Sequence, residues 1–167
     1  MLDWPQVVLF GSIGGQWREQ YIIPALEALQ VTYYNPNKGQ DWTTALGDQE
    51  AEVMAHCETI VMVINDSSPA FGGLVETGWA ALGAAQRGQH FILQIDLDYQ
   101  YQMSAALRNN AEGVELEKYL NHATQASRHL VYKHAQQFNL KTLYVVDSIT
   151  AVIAKLNHIY DHRHHTN

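Results

Sequence analysis

Apolar residues in this chain come in short dense runs, separated by stretches whose apolar positions recur at helical spacing. The runs "QVVLF" (6–10), "VTYYN" (31–35), "TIVMVIN" (59–65), "HFILQID" (90–96) and "TLYVVD" (142–147) predict five strands. Helices are predicted between them. One spans 16–30, with Tyr21, Ile22, Ala25, Leu26 and Leu29 apolar, and others span 45–57, 74–88 and 148–160, the last with Ser148 in the N-cap position. Residues 36–42 and 66–73 read as loops, and Tyr99 to Phe138 as mostly helical. This alternation implies an α/β fold with a five-stranded parallel sheet in the flavodoxin-like order 2-1-3-4-5 and helices on both faces. In that order the ligand crevice opens beyond the carboxyl ends of strands 1 and 3. The loops at that point are "GSIGGQW" and "NDSSPAFGG".

Composition narrows the classes. A chain of 167 residues suits one domain, 1–167, ending in a polar His-rich tail over about 161–167. The net charge of −7, with no Lys/Arg stripe, disfavours a nucleic acid polymer as partner. No run approaches the roughly 18 apolar residues of a membrane span. The N-terminus has neither a basic leader region nor a cleavage site, so the chain is expected to be mature and cytoplasmic. Cys57 is the single cysteine, fits a reducing compartment and reads as a buried apolar residue rather than a nucleophile. His158 and His162 stand at helical spacing, with His164 and His165 beyond. A frayed end does not preorganise ligands, so no metal site and no cofactor is expected.

Three features could carry chemistry. "FGSIGG" (10–15) joins a strand to a helix, where glycines admit a ligand to the backbone, yet it is neither G-x-G-x-x-G nor a P-loop. It reads equally well as a tight turn. Glu76 falls in the first turn of the predicted helix 74–88, where the helix N-terminus favours an ionised carboxylate. First turns commonly hold a glutamate, and only its place beside the crevice sets this one apart. Glu50 shares a helix face with Met54 and Cys57, near Val53. A carboxyl beside an apolar stripe is expected to have a raised pKa and to serve as a proton donor, whereas Asp48 and Glu52 read as solvated.

Taken together, "FGSIGG…WR", "YYNP", "GDQE", "GGLVETGWA" and "SAALRNNAEG" resemble the nucleoside 2-deoxyribosyltransferase superfamily over roughly residues 6–113. That group includes the 2'-deoxynucleoside 5'-monophosphate N-glycosidases. The resemblance implies cleavage or transfer of an N-glycosidic bond through a covalent glycosyl-glutamate. Glu76 would be the nucleophile, in its Gly-x-x-x-Glu-x-Gly setting with Gly72 and Gly78, and Glu50 the acidic partner. Gly11, Ser12, Ile13, Gly14 and Gly15 would line the sugar or its 5' end, and Asn35 belongs to the matching "YYNP". Trp17, Trp42 and Phe71 are candidates for a base slot by position. Ser104 and Asn109 would reach the site of a neighbouring subunit in a homodimer or larger homo-oligomer. Ala70 stands where the family commonly has Asp or Ser, with Asp66, Ser67 and Ser68 nearby as substitutes. The arginine that the monophosphate glycosidases place after Gly-Ser-Ile has no counterpart before Arg18. A binding module that has lost catalysis, and a structural oligomer with a degenerate pocket, are the competing readings.

Overall fold

The computed structural model describes residues 3–36, 39, 41–138 and 140–161. Five strands form one parallel sheet: β1 (Val7–Gly11), β2 (Tyr33–Tyr34), β3 (Thr59–Ile64), β4 (His90–Ile95) and β5 (Leu143–Val146). Their order is β2-β1-β3-β4-β5, as the sequence pattern predicts. Register runs from Val7↔Thr59 to Gly11↔Val63 between β1 and β3, and from Thr59↔His90 to Ile64↔Ile95 between β3 and β4. All six residues of β3 are buried, because a central parallel strand is covered on both faces.

The strands alternate between two cores. Phe10, Met62, Leu93 and their neighbours face α2 (Thr44–His56), α3 (Phe71–Arg87) and α4 (Ala111–Gln137). Leu9, Val63 and Ile92 face α1 (Ile23–Ala28) and α5 (Ile149–Tyr160). Helices therefore cover both faces. Ser148 caps α5, accepting from the Ala151 amide at 3.2 Å. Cys57 is buried and its thiol is pushed up to about 12, chiefly by desolvation. Among the described residues no helix is long and apolar enough to cross a membrane. The tail from 162 onward, with His162, His164 and His165, lies outside the described residues.

Three elements differ from their sequence expectations. The helix expected over 16–30 opens as a π turn, Arg18–Ile22, before α1. Pro24 is the physical reason, since it has no N–H to give to an i−4 carbonyl and the wider turn accommodates that loss. The segment 99–110 is not helical. Its backbone bonds to α4 side chains and within one turn rather than in a helical ladder: the Met103 amide donates to Glu117 at 2.9 Å, Asn121 ties both backbone polar groups of Tyr101, and the Leu107 and Arg108 amides donate to the Ser104 carbonyl. Helix α4 then starts at Ala111, capped by Asn110, whose side chain accepts from the Gly113 amide at 2.7 Å.

The third difference moves a site residue. Helix α3 starts at Phe71 and includes the two glycines read as loop, so Glu76 sits in its second turn, away from the orphan N–H groups. Gly73 permits this start. A methyl there would lie 3.1 Å from the Gly11 Cα, so backbone meets backbone where α3 passes β1. Ahead of the helix, Ala70 is held at φ 54°, ψ 37° with no side-chain cap. That left-handed conformation costs an L-residue roughly 1–2 kcal/mol, less the roughly 0.4–1 kcal/mol that alanine saves in the unfolded chain. Ala70→Gly should therefore raise stability by about 0.5 kcal/mol in urea unfolding. A loss would mean instead that packing of the Ala70 methyl against the core dominates.

Candidate functional site

A cleft of about 500 Å³ runs between α2 and α3, with Phe10 of β1 at its inner end. Glu50 and Glu76 both line it, so the structure joins the two carboxylates that the sequence singled out separately. Glu50 comes from the face of α2 that also carries Met54 and the buried Val53. Its carboxyl is raised above the ordinary range by desolvation, as expected for an acid on an apolar stripe, and the Trp42 indole N–H donates to it and draws it partly back. Trp42 itself lies over α2 at Gly47, where a methyl would meet the indole at 2.7 Å. Tyr34 is close enough for the charge on Glu50 to raise its hydroxyl further, beyond what desolvation does.

Glu76 corrects an expectation. Its carboxyl is raised, not lowered, first by desolvation and then by the charge on Glu50. The second-turn position removes the benefit of the helix N-terminus, and two carboxylates sharing one cleft disfavour double ionisation. The pair therefore retains a proton to higher pH than isolated glutamates do. Trp79 and Arg87 complete the α3 wall. Neither was singled out from sequence, although Trp79 follows Glu76 by three residues and so falls on a neighbouring helix face.

The glycine loop packs against the loop after β3 rather than lining the carboxylate cleft. Gly11 has φ 117°, and a methyl there would overlap the Val63 carbonyl. Methyls on Gly14 and Gly15 would press on Ser67 and Asn65. Ser12 is buried, and its hydroxyl accepts from the Asn65 amide at 3.1 Å. Trp17 is also buried, with its indole N–H on the Ser12 carbonyl at 2.9 Å, so it is a core residue and not a base platform. Arg18 is buried beside it and donates to the carbonyls of Leu9 and Ser12. Burial lowers its pKa to about 10. Ile13 is exposed at the loop tip.

The remaining candidates are scattered. Asn35 donates to Glu19 at 3.3 Å. Asp66 lines a different cleft, of about 780 Å³, beyond the ends of β4 and β5 with Asp96, Asp98 and Asp147. The Ser68 carbonyl accepts from Arg128 at 2.8 Å. Phe71 and Gly72 are exposed at the start of α3, and a methyl on Gly72 would meet nothing. Ser104 and Asn109 are exposed on the loop before α4 and do not line the carboxylate cleft of their own chain. Among the described residues no group of three or more His, Cys, Asp or Glu could hold a metal ion.

No protein-family model matches the chain, and no curated protein matches it. A solved structure described as a conserved protein from Enterococcus faecalis V583 is similar over 94% of this chain and 99% of its own, at 12% identity and a TM-score of 0.48.

Proposed function

We propose that the chain cleaves or transfers the N-glycosidic bond of a (deoxy)nucleoside or nucleotide in the cleft between α2 and α3. The observation that supports this most is the pairing of Glu50 and Glu76 in one partly buried cleft rimmed by Trp42 and Trp79. The resemblance of the motifs to the nucleoside 2-deoxyribosyltransferase superfamily supplies the reaction class. Ionised Glu76 attacks the anomeric carbon, the C–N bond breaks, and its electron pair leaves with the base. Protonated Glu50 supplies a proton to that base. Water or a second base then attacks the glycosyl ester and restores Glu76. On this reading Ser104 and Asn109 serve the cleft of a neighbouring copy, and the compartment is the cytoplasm.

A second reading is a nucleotide-binding module without catalysis. It is favoured by Ala70, which stands where the family commonly has Asp or Ser, and by the opening loop, which has no arginine before Arg18. Chromatography of released base separates the readings, using deoxynucleosides and deoxynucleotides with and without a second base. Base release supports the enzyme. Ligand-induced thermal stabilisation without release supports the module.

The carboxylate pair also sets a pH profile. Attack needs ionised Glu76 while the leaving base takes the proton of Glu50, so only the singly protonated pair turns over. kcat/KM should therefore rise and then fall with pH through two apparent pKa values that belong to the pair, the second held up because the charge on one carboxyl opposes ionisation of the other. Glu50→Gln removes the titrating acid, so the alkaline limb should disappear, alongside a loss in rate. An alkaline limb that persists in Glu50→Gln would show that Glu50 is not the proton donor.

A further inference from the structure

The cleft of about 780 Å³ at the carboxyl end of the sheet takes no part in the proposed reaction. Three neighbouring strands deliver its carboxylates. Asp66 follows the end of β3 by two residues, Asp96 and Asp147 follow β4 and β5 directly, and Asp98 comes two residues after Asp96. Parallel strands lie about 4.8 Å apart, so the three strand ends fan the charge over roughly 10 Å. Ile95 and Val145 add apolar lining between them. Among the described residues that line the cleft there is no Lys, Arg or His. Arg128 stands behind Asp96 and donates to its carbonyl at 2.7 Å, which offsets part of the charge without filling the cleft.

A buried amide at the same place lacks a donor. Gln94 is only 3% exposed. Its side-chain N–H donates to the Asp96 carboxylate at 2.6 Å, and its register partner on β5 is Val146, which also lines the cleft. The carboxamide is thus aimed at the cleft wall. Its Oε1 has no donor among the described residues. A buried amide oxygen left so costs stability, and a ligand N–H beside Asp96 would supply what it lacks. We infer that this cleft binds a linear di- or polyamine, whose ammonium groups meet the carboxylates at the three strand ends while Gln94 accepts from the one beside Asp96. The spread of the charge argues for this ligand over a metal ion, since among the described residues no three acidic groups come together to hold one. In an alkyl amine, a few methylenes separate neighbouring ammoniums by about one strand spacing and suit the apolar lining between the carboxylates. The volume is that of a small-molecule site. The inference does not depend on the chemistry proposed for Glu50 and Glu76, whose cleft lies between α2 and α3.

Calorimetric titration of spermidine into the full chain at about 0.1 M salt should show one saturable site. Putrescine, with one ammonium fewer, should bind several-fold more weakly, and magnesium chloride at matched ionic strength should show no saturable site. Asp98→Asn with Asp147→Asn should weaken spermidine binding about tenfold. Glu112→Gln with Asp161→Asn makes the same change in charge at exposed positions away from the cleft, and should leave binding unchanged. Gln94→Leu should weaken binding about threefold or more, although the ligand-free variant should melt no lower than the parent protein. If a double variant does not fold, its two single variants carry the same comparison. The absence of saturable binding overturns the inference. So does binding that magnesium matches, that Glu112→Gln with Asp161→Asn weakens equally, or that Gln94→Leu leaves intact. A tri-lysine peptide that binds more tightly than spermidine assigns the cleft to a basic protein segment and overturns it too. If spermidine binds as described while no base is released, only the proposed chemistry falls.

Discussion

Glu76→Gln should lose base release by on the order of 10⁴-fold or more and yet melt at a higher temperature than the parent protein. The first effect follows from removing the nucleophile while keeping its shape. The second follows from the titration. Glu76 has its pKa raised by desolvation and by Glu50, so the folded state disfavours its ionised form. The stability linked to it is fully present below the unfolded pKa and is lost as pH rises through the folded one. Above the ordinary glutamate range the folded state is disfavoured by this group relative to the unfolded chain, and Gln relieves that. The advantage of Glu76→Gln should shrink as pH falls toward the ordinary glutamate range. Each kcal/mol recovered corresponds to roughly 2–4 °C in a domain of this size. Circular dichroism melts at two pH values, beside the base-release assay, check both halves. A variant that melts lower at neutral pH would mean Glu76 is a structural partner, and full activity would remove it from the mechanism.

Arg128→Met should destabilise the fold by about 3 kcal/mol or more, lowering the melting temperature by roughly 6–12 °C. Arg128 is fully buried. Its guanidinium donates to the Asp96 carbonyl at 2.7 Å, to Asn65 at 2.9 Å and to Ser68 at 2.8 Å, and lies 4.3 Å from the centroid of the Tyr99 ring. One side chain of α4 thus ties the ends of β3 and β4 to the loop that leads into α3. Methionine keeps the stem and leaves three carbonyls without this donor, each worth about 1 kcal/mol or more when buried. Burial lowers the pKa of the guanidinium, opposed by Asp96, and arginine stays charged in spite of it. Lysine has one ammonium where arginine has a fork, so Arg128→Lys should recover only part of the loss. A change below about 1 kcal/mol for Arg128→Met in denaturant unfolding would show that water replaces the clamp.

The strand order was legible because β1, β3 and β4 are continuous apolar runs separated by helix-length segments, which leaves a parallel sheet few alternatives. Glu50 was legible for a similar reason, since helical spacing places it beside Val53 and Met54. Trp17 misled. An aromatic just after a glycine loop looks available to a ligand, and only the fold shows its indole N–H satisfied by a backbone carbonyl. The helix read across 99–110 misled in the same way, because the side chains that take over its backbone bonds lie 14 to 20 residues further along the chain. Arg128 left no local trace at all. Its three acceptors lie 32, 63 and 60 residues away, and an arginine on a polar helix looks solvated.

The contact between Gly73 and Gly11 has a bearing on how the cleft could be altered. It pins α3 to the sheet less than one helical turn before Glu76, and it does so backbone against backbone, independent of any side chain. The α3 wall of the cleft is thereby a fixed datum. The opposite wall, formed by Trp42 and α2, is anchored chiefly through side chains, with Val53 in the core and Trp42 laid over Gly47. Variation in ligand preference, natural or engineered, has room to act on the α2 side while Glu76 keeps its place.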